Sequence, residues 1–99
     1  MSKQKKQLEI EIDGKKYPYR ETMGAMMDFK QETGLDMPVD TETTLKYMYH
    51  VVKAMCRRSG QKFDLTYQQF LDGLDGDEFL RIVNEESLPA EAEGDEKNA

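Results

Sequence analysis

The sequence predicts an α+β fold: a short N-terminal β-hairpin followed by three to four packed α-helices, with a disordered acidic C-terminal tail. Three observations carry that prediction. Residues 8–12, Leu-Glu-Ile-Glu-Ile, alternate apolar and acidic side chains with the period of a strand. Asp13-Gly14 follows directly, a dipeptide suited to a two-residue hairpin turn because glycine accepts positive φ. Beyond Thr22 the apolar residues switch to helical spacing, in segments punctuated by Gly34, Gly60, Gly73 and Gly76.

In the hairpin, Leu8, Ile10 and Ile12 share one face, and the return strand from Lys15 to Arg20 places Tyr17 and Tyr19 together. Pro18 has no N–H to donate, so this strand should be short and lie at an edge. A two-stranded hairpin alone is marginal in water, so its apolar face must pack on the helices that follow.

The first helix is predicted from an N-cap at Thr22 to a left-handed C-cap at Gly34. Met23, Met26, Met27 and Lys30 fall at i, i+3, i+4 and i+7, and Phe29 extends the face from Met26. Gly24 costs this helix about 1 kcal/mol relative to alanine, which close packing against a neighbour would explain. Residues 35–40, containing Met37-Pro38, form a linker. The second helix starts near Thr41–Thr44 and is closed by Gly60. Leu45, Met48, Tyr49, Val52 and Met55/Cys56 make one stripe on it, with Tyr47, Val51 and Ala54 beside them. An apolar surface that wide marks a central helix touching several elements. Arg57 and Arg58 in its last turn complement the helix dipole. Phe63 and Leu65 lie in a short connector, and Thr66 with Gln69 reads as a capping box opening a helix with Tyr67, Phe70, Leu71 and Leu74. Asp75 or Asp77 caps a last helix bearing Phe79, Leu80, Ile82 and Val83. The predicted organisation is a flexible N-terminus over 1–7, one domain over 8–86 and a solvated acidic tail over 87–99.

Charge and composition narrow the function. Residues 85–99 hold six acids against Lys97 alone, whereas the preceding 84 residues hold 14 acids and 13 bases. No broad basic field exists to attract nucleic acid. Cys56 is the sole cysteine, so no disulfide can form within the chain, as suits a reducing compartment. The N-terminus shows no signal peptide, and no apolar run approaches the ~18 residues that span a bilayer, so the expected location is the cytoplasm with no membrane partner.

No catalytic, cofactor or metal site can be assembled from the residues. His50 is the only histidine and has no recognisable partner base, acid or nucleophile. Cys56 sits at a helix C-terminal end, where the dipole disfavours a thiolate. The acidic run from Asp72 to Glu78 fails the calcium-loop arithmetic: a loop opening at Asp72 puts Leu74 at its third position and Val83 at its twelfth, where the bidentate glutamate belongs. Glu9 and Glu11 face outward as surface charges. The methionines stand out instead. There are seven in 99 residues, and Met23, Met26, Met27, Met48 and Met55 all fall on apolar helical faces. Flexible, polarizable thioethers suit an irregular core and also an adaptable binding surface. The candidate partner-binding residues are therefore Met23, Met26, Met27 and Phe29.

The stretch from Leu8 to Gly34, a hairpin running into Glu-Thr-Met-Gly-Ala-Met-Met-Asp-Phe-Lys-Gln-Glu-Thr-Gly, together with the Tyr-rich second helix and Gly60-Gln-Lys-Phe-Asp-Leu-Thr-Tyr-Gln-Gln-Phe-Leu-Asp-Gly-Leu74, resembles the small tail-assembly-chaperone-like proteins of tailed bacteriophages and prophages. The resemblance covers roughly residues 8–83. It implies a non-enzymatic helper of tail morphogenesis in the bacterial host cell. Its implied partner is the helical tape-measure protein, kept soluble until tail-tube subunits polymerise around it. In many such systems a ribosomal frameshift yields an extended second form, and this chain would correspond to the shorter one. Two other classes remain open. One is a structural tail-completion or connector protein that persists in the virion. The other is a small regulatory nucleic-acid-binding module using Arg57, Arg58 and Lys62.

Overall fold

The computed structural model describes residues 8–90. The expected flexible N-terminus over 1–7 and the acidic stretch 91–99 lie outside the described residues.

The α+β architecture is as the sequence predicts, with the hairpin first and four helices after it among the described residues. Strands β1 (Leu8–Ile12) and β2 (Lys15–Tyr19) pair antiparallel in the register Leu8↔Tyr19, Ile10↔Tyr17 and Ile12↔Lys15. Asp13 and Gly14 both adopt positive φ, 56° and 80°, the backbone of a type I′ turn whose twist matches the strands. Ile10, Ile12, Tyr17 and Tyr19 are buried on one face. Hydrogen-bonded and non-bonded pairs alternate away from the turn, so Pro18, opposite Glu9, occupies a non-bonded position where its missing N–H costs the ladder nothing.

Helix α1 (Met23–Thr33) begins where Thr22 Oγ1 accepts the Ala25 N–H at 3.2 Å, and ends at Gly34 in the left-handed region. Ala25 and Phe29 point into the core against α2, with the Phe29 ring edge-on to Tyr47 at 5.3 Å. Helix α2 (Thr41–Ser59) is the central element, with Tyr47, Met48, Val51, Val52, Ala54, Met55 and Cys56 buried along it. It starts at Thr41, within the predicted range, with Asp40 as its N-cap. Asp40 Oδ1 accepts the Thr43 N–H at 2.9 Å, and Thr43 Oγ1 accepts the Asp40 N–H at 3.1 Å. The Thr43 N–H, together with the Thr43 hydroxyl donating to Asp40 Oδ1 at 2.7 Å, holds the Asp40 carboxyl below the usual carboxylate range.

The connector after Gly60 is anchored by one residue of α2. Tyr49 donates its hydroxyl to the Leu65 carbonyl at 2.8 Å, and its ring meets Phe63, Tyr67 and Phe70 at 5.8, 5.4 and 5.4 Å. Helix α3 (Tyr67–Gly73) opens with the predicted capping box, Thr66 and Gln69 exchanging hydrogen bonds at 2.9 and 3.1 Å. The hairpin turn seats on its last residue: the Asp13 N–H donates to the Gly73 carbonyl at 2.7 Å. A Cβ on Gly73 would lie 3.0 Å from the Asp13 Cβ and 3.1 Å from Ile12, so any side chain there would push the turn outward by a few tenths of an ångström. Helix α4 (Gly76–Glu86) buries Phe79, Ile82 and Val83. Asp75 occupies its N-cap position without a side-chain cap bond. Two α4 side chains cover the outer edge of β1. Arg81 Nη2 donates to the Glu9 carbonyl at 2.7 Å, and Glu78 Oε2 accepts the Glu11 N–H at 2.7 Å, so two of the edge's outward groups are paired by α4.

The folded body extends past the predicted boundary at residue 86. Ser87 takes a left-handed backbone, φ 56°, and turns the chain back so that Leu88 donates its N–H to the Val83 carbonyl and buries its side chain. Thr44, the one fully buried polar residue among those described, donates its hydroxyl to the Pro89 carbonyl at 2.6 Å. Ala90 also packs against the core. Residues 88–90, placed in the solvated tail by sequence, thus form a strap on the body. No helix among the described residues is long and apolar enough to cross a membrane.

Candidate functional site

The four residues singled out from sequence divide between surface and core. Successive α-helical residues turn about 100°, so Ala25 and Phe29 define the inward side of α1 and Met23 and Met27 the opposite one. Met23 is 67% exposed and Met27 52%. Met26 is half-buried and packs on the core from the flank. Phe29 is fully buried, which corrects its assignment to a partner surface. It belongs to the interface with α2, where burying it contributes on the order of 2–3 kcal/mol.

The exposed methionines are four residues apart and stand side by side on one face. The ionic groups bordering them are tied to one another rather than left open. Lys30 pairs with Asp36 at 2.7 Å, folding the connector back along α1. Arg57 reaches Asp28 at 3.4 Å, and its guanidinium would lie 3.3 Å from a Cβ on Gly24, so Gly24 makes room for the α2 arginine. On the side that meets α2, away from the methionine pair, Glu32 receives both His50 and Lys46, at 2.6 and 3.6 Å. The result is a helix with an apolar pair at its outer face, flanked by the Lys30–Asp36 and Arg57–Asp28 ion pairs. Met37 and Val39, exposed on the connector after α1, add apolar surface that helical periodicity alone did not single out.

The titratable groups weighed from sequence take structural places. His50 binds Glu32 through Nε2 and clamps α1 to α2, while its Nδ1 is buried without a partner. Cys56 is buried, and burial pushes its thiol above the ordinary cysteine range with Lys15 opposing weakly, so it is protonated at neutral pH. Tyr47 donates to Glu21 at 2.7 Å, and burial together with that carboxylate raises its phenol well above the ordinary value. No group of three or more His, Cys, Asp or Glu has metal-holding geometry among the described residues.

The structure also assembles an acidic face that the linear sequence conceals. The outer face of the hairpin and one side of α4 form a shallow cleft with Glu9, Glu11, Glu78 and Glu85 on it, beside Lys16 and Arg81. A second cleft continues from Glu11 and Glu78 to Asp13, Asp72, Asp75 and Asp77. These eight acids and two bases account for the whole net charge of residues 8–90, which hold 16 acids and 10 bases; the rest of the body is balanced at eight each. Such a face repels the phosphate backbone of a nucleic acid. Within it Arg81 draws Glu78 below the usual carboxylate range, helped by the Glu11 N–H.

Comparison with protein families, characterised proteins and solved structures finds no match to the chain.

Proposed function

We propose that this chain is a non-enzymatic protein-binding domain that acts as a phage or prophage tail assembly chaperone, holding the helical tape-measure protein in solution in the host cytoplasm until tail-tube subunits enclose it. The observation that supports this reading is the outward pair Met23 and Met27 on α1, 67% and 52% exposed beside neutralised charges. Unbranched thioethers adapt to varied apolar side chains, as a client with many similar amphipathic turns requires. The partner's apolar residues are the complement of this face, and no chemical step is asked of the chain. The concentration of acid on the hairpin and around α4 supports a protein-binding role over a nucleic-acid-binding one.

Co-expression with the long helical tail protein encoded beside the chain tests the proposal. The soluble fraction of that partner is expected to rise several-fold, and the two proteins to co-purify. Equal aggregation of the partner with and without the chain refutes the chaperone role.

A further inference from the structure

We propose that Met23 and Met27 form an oxidation-sensitive pair through which peroxide turns the docking face off without unfolding the domain. The inference rests on the docking role proposed above and adds a means of regulating it. The described methionines divide sharply by environment. Met48 is fully buried and Met55 8% exposed inside the core, and Met26 is shielded by packing, whereas Met23 and Met27 present their thioethers to solvent. A hydroperoxide therefore reaches the docking pair before the core. The sulfur lone pair attacks the outer peroxide oxygen and the O–O bond breaks. With hydrogen peroxide the sulfur, oxidised by two electrons, first carries an OH group, and the departing hydroxide takes that group's proton, leaving a sulfoxide and water. Each step replaces an apolar thioether by a strongly polar S=O group.

Position gives the change its effect. The two residues are neighbours at i and i+4 on one face, so two sulfoxides place two hydrated dipoles where a partner's apolar side chains would rest. Neither side chain supports the core, whose α1 contribution comes from Ala25, Phe29 and the flanking Met26. Oxidation is thus read by the partner and not by the fold. Met37, 45% exposed on the connector, is the third exposed thioether among the described residues and serves as the internal control.

The test treats the purified protein with hydrogen peroxide, quantifies sulfoxide at each methionine by peptide mass spectrometry, and then measures how much of the co-expressed helical partner it retains in solution. Met23 and Met27 are expected to oxidise at least tenfold faster than Met48 and Met55, with the unfolding midpoint unchanged and partner retention reduced at least fivefold. Methionine sulfoxide reductase with dithiothreitol restores retention, and the Met37→Leu variant loses it to the same extent as the parent chain. Retention by the untreated protein that survives full oxidation of Met23 and Met27 overturns the switch alone. Loss that tracks Met37 oxidation or unfolding overturns it equally. Failure of the untreated protein to retain the partner removes the docking role itself, and the switch with it.

Discussion

Ending the chain after Ser87 should destabilise it by about 3 kcal/mol, because Leu88–Ala90 is a structural strap. Two contributions set the figure. Leu88 is only 8% exposed, and returning such a side chain to water costs about 1.5–3 kcal/mol. The Thr44 hydroxyl, fully buried, loses its acceptor on Pro89, and an unsatisfied buried hydroxyl costs about 1–3 kcal/mol. The lower ends apply, since both groups lie near a chain end where neighbours and water can adjust. A domain of about 80 residues has roughly 4–12 kcal/mol of total stability, so the loss is a large share of it. Urea unfolding followed by far-UV circular dichroism measures it against the chain ended after Ala90, and the melting temperature should fall by about 12 °C or more. Thr44→Val supplies the internal check. In the chain that keeps the strap it costs about 1 kcal/mol, and in the chain ended at Ser87 it is neutral or stabilising, because the hydroxyl removed there has no partner. A truncated chain within 0.5 kcal/mol of the reference on the scale of ordinary surface changes, or identical Thr44→Val effects in both chains, would refute the argument.

Gly73→Ala should cost about 1–3 kcal/mol in thermal unfolding, because the new methyl meets the Asp13 backbone as well as its Cβ; an unchanged midpoint would mean that the turn does not depend on this approach. Phe29→Ala should lose about 3–5 kcal/mol, the cost of a cavity against Tyr47, so any loss of partner binding in it should track unfolding. Glu78 has its carboxyl held low by Arg81 and by the Glu11 N–H. A depressed folded value stabilises above the unfolded carboxylate pKa of about 4.3 and is lost as pH falls through the folded one. Glu78→Gln should therefore be less stable than the parent near pH 7, with the gap closing as pH drops toward 3; a gap that stays constant contradicts the ion-pair account.

How much of this was legible in the sequence depended on whether the signal was local. The hairpin was legible because alternation and Asp13-Gly14 act within seven residues, and the Thr66–Gln69 box because both partners lie in one turn. The breadth of the α2 apolar surface announced a central helix. The α2 start near Thr41 was legible, but its Asp40 cap was not, because an Asp40–Thr43 box departs from the Ser/Thr-to-Glu/Gln pattern that was sought. On α1 the apolar residues surround most of the helix, so spacing did not show which side was buried. Ala25 was the available clue, a small residue in register with Phe29 on the side that approaches α2. The strap was missed because a left-handed Ser87 is not a residue type that announces a turn back onto the body. The acidic face was illegible in principle, since Glu9, Glu11 and Asp13 join Asp72–Glu78 only after the hairpin docks on Gly73.

The central claim is that the outer face of α1 serves a partner and not the fold. The paired substitution Met23→Glu and Met27→Glu tests it most directly, read by unfolding stability and by retention of the co-expressed helical partner in the same preparation. Exposed positions such as these should move stability by no more than about 0.5 kcal/mol, while partner retention falls to the level seen without the chain. Retention equal to that of the parent protein in the folded variant would contradict the account.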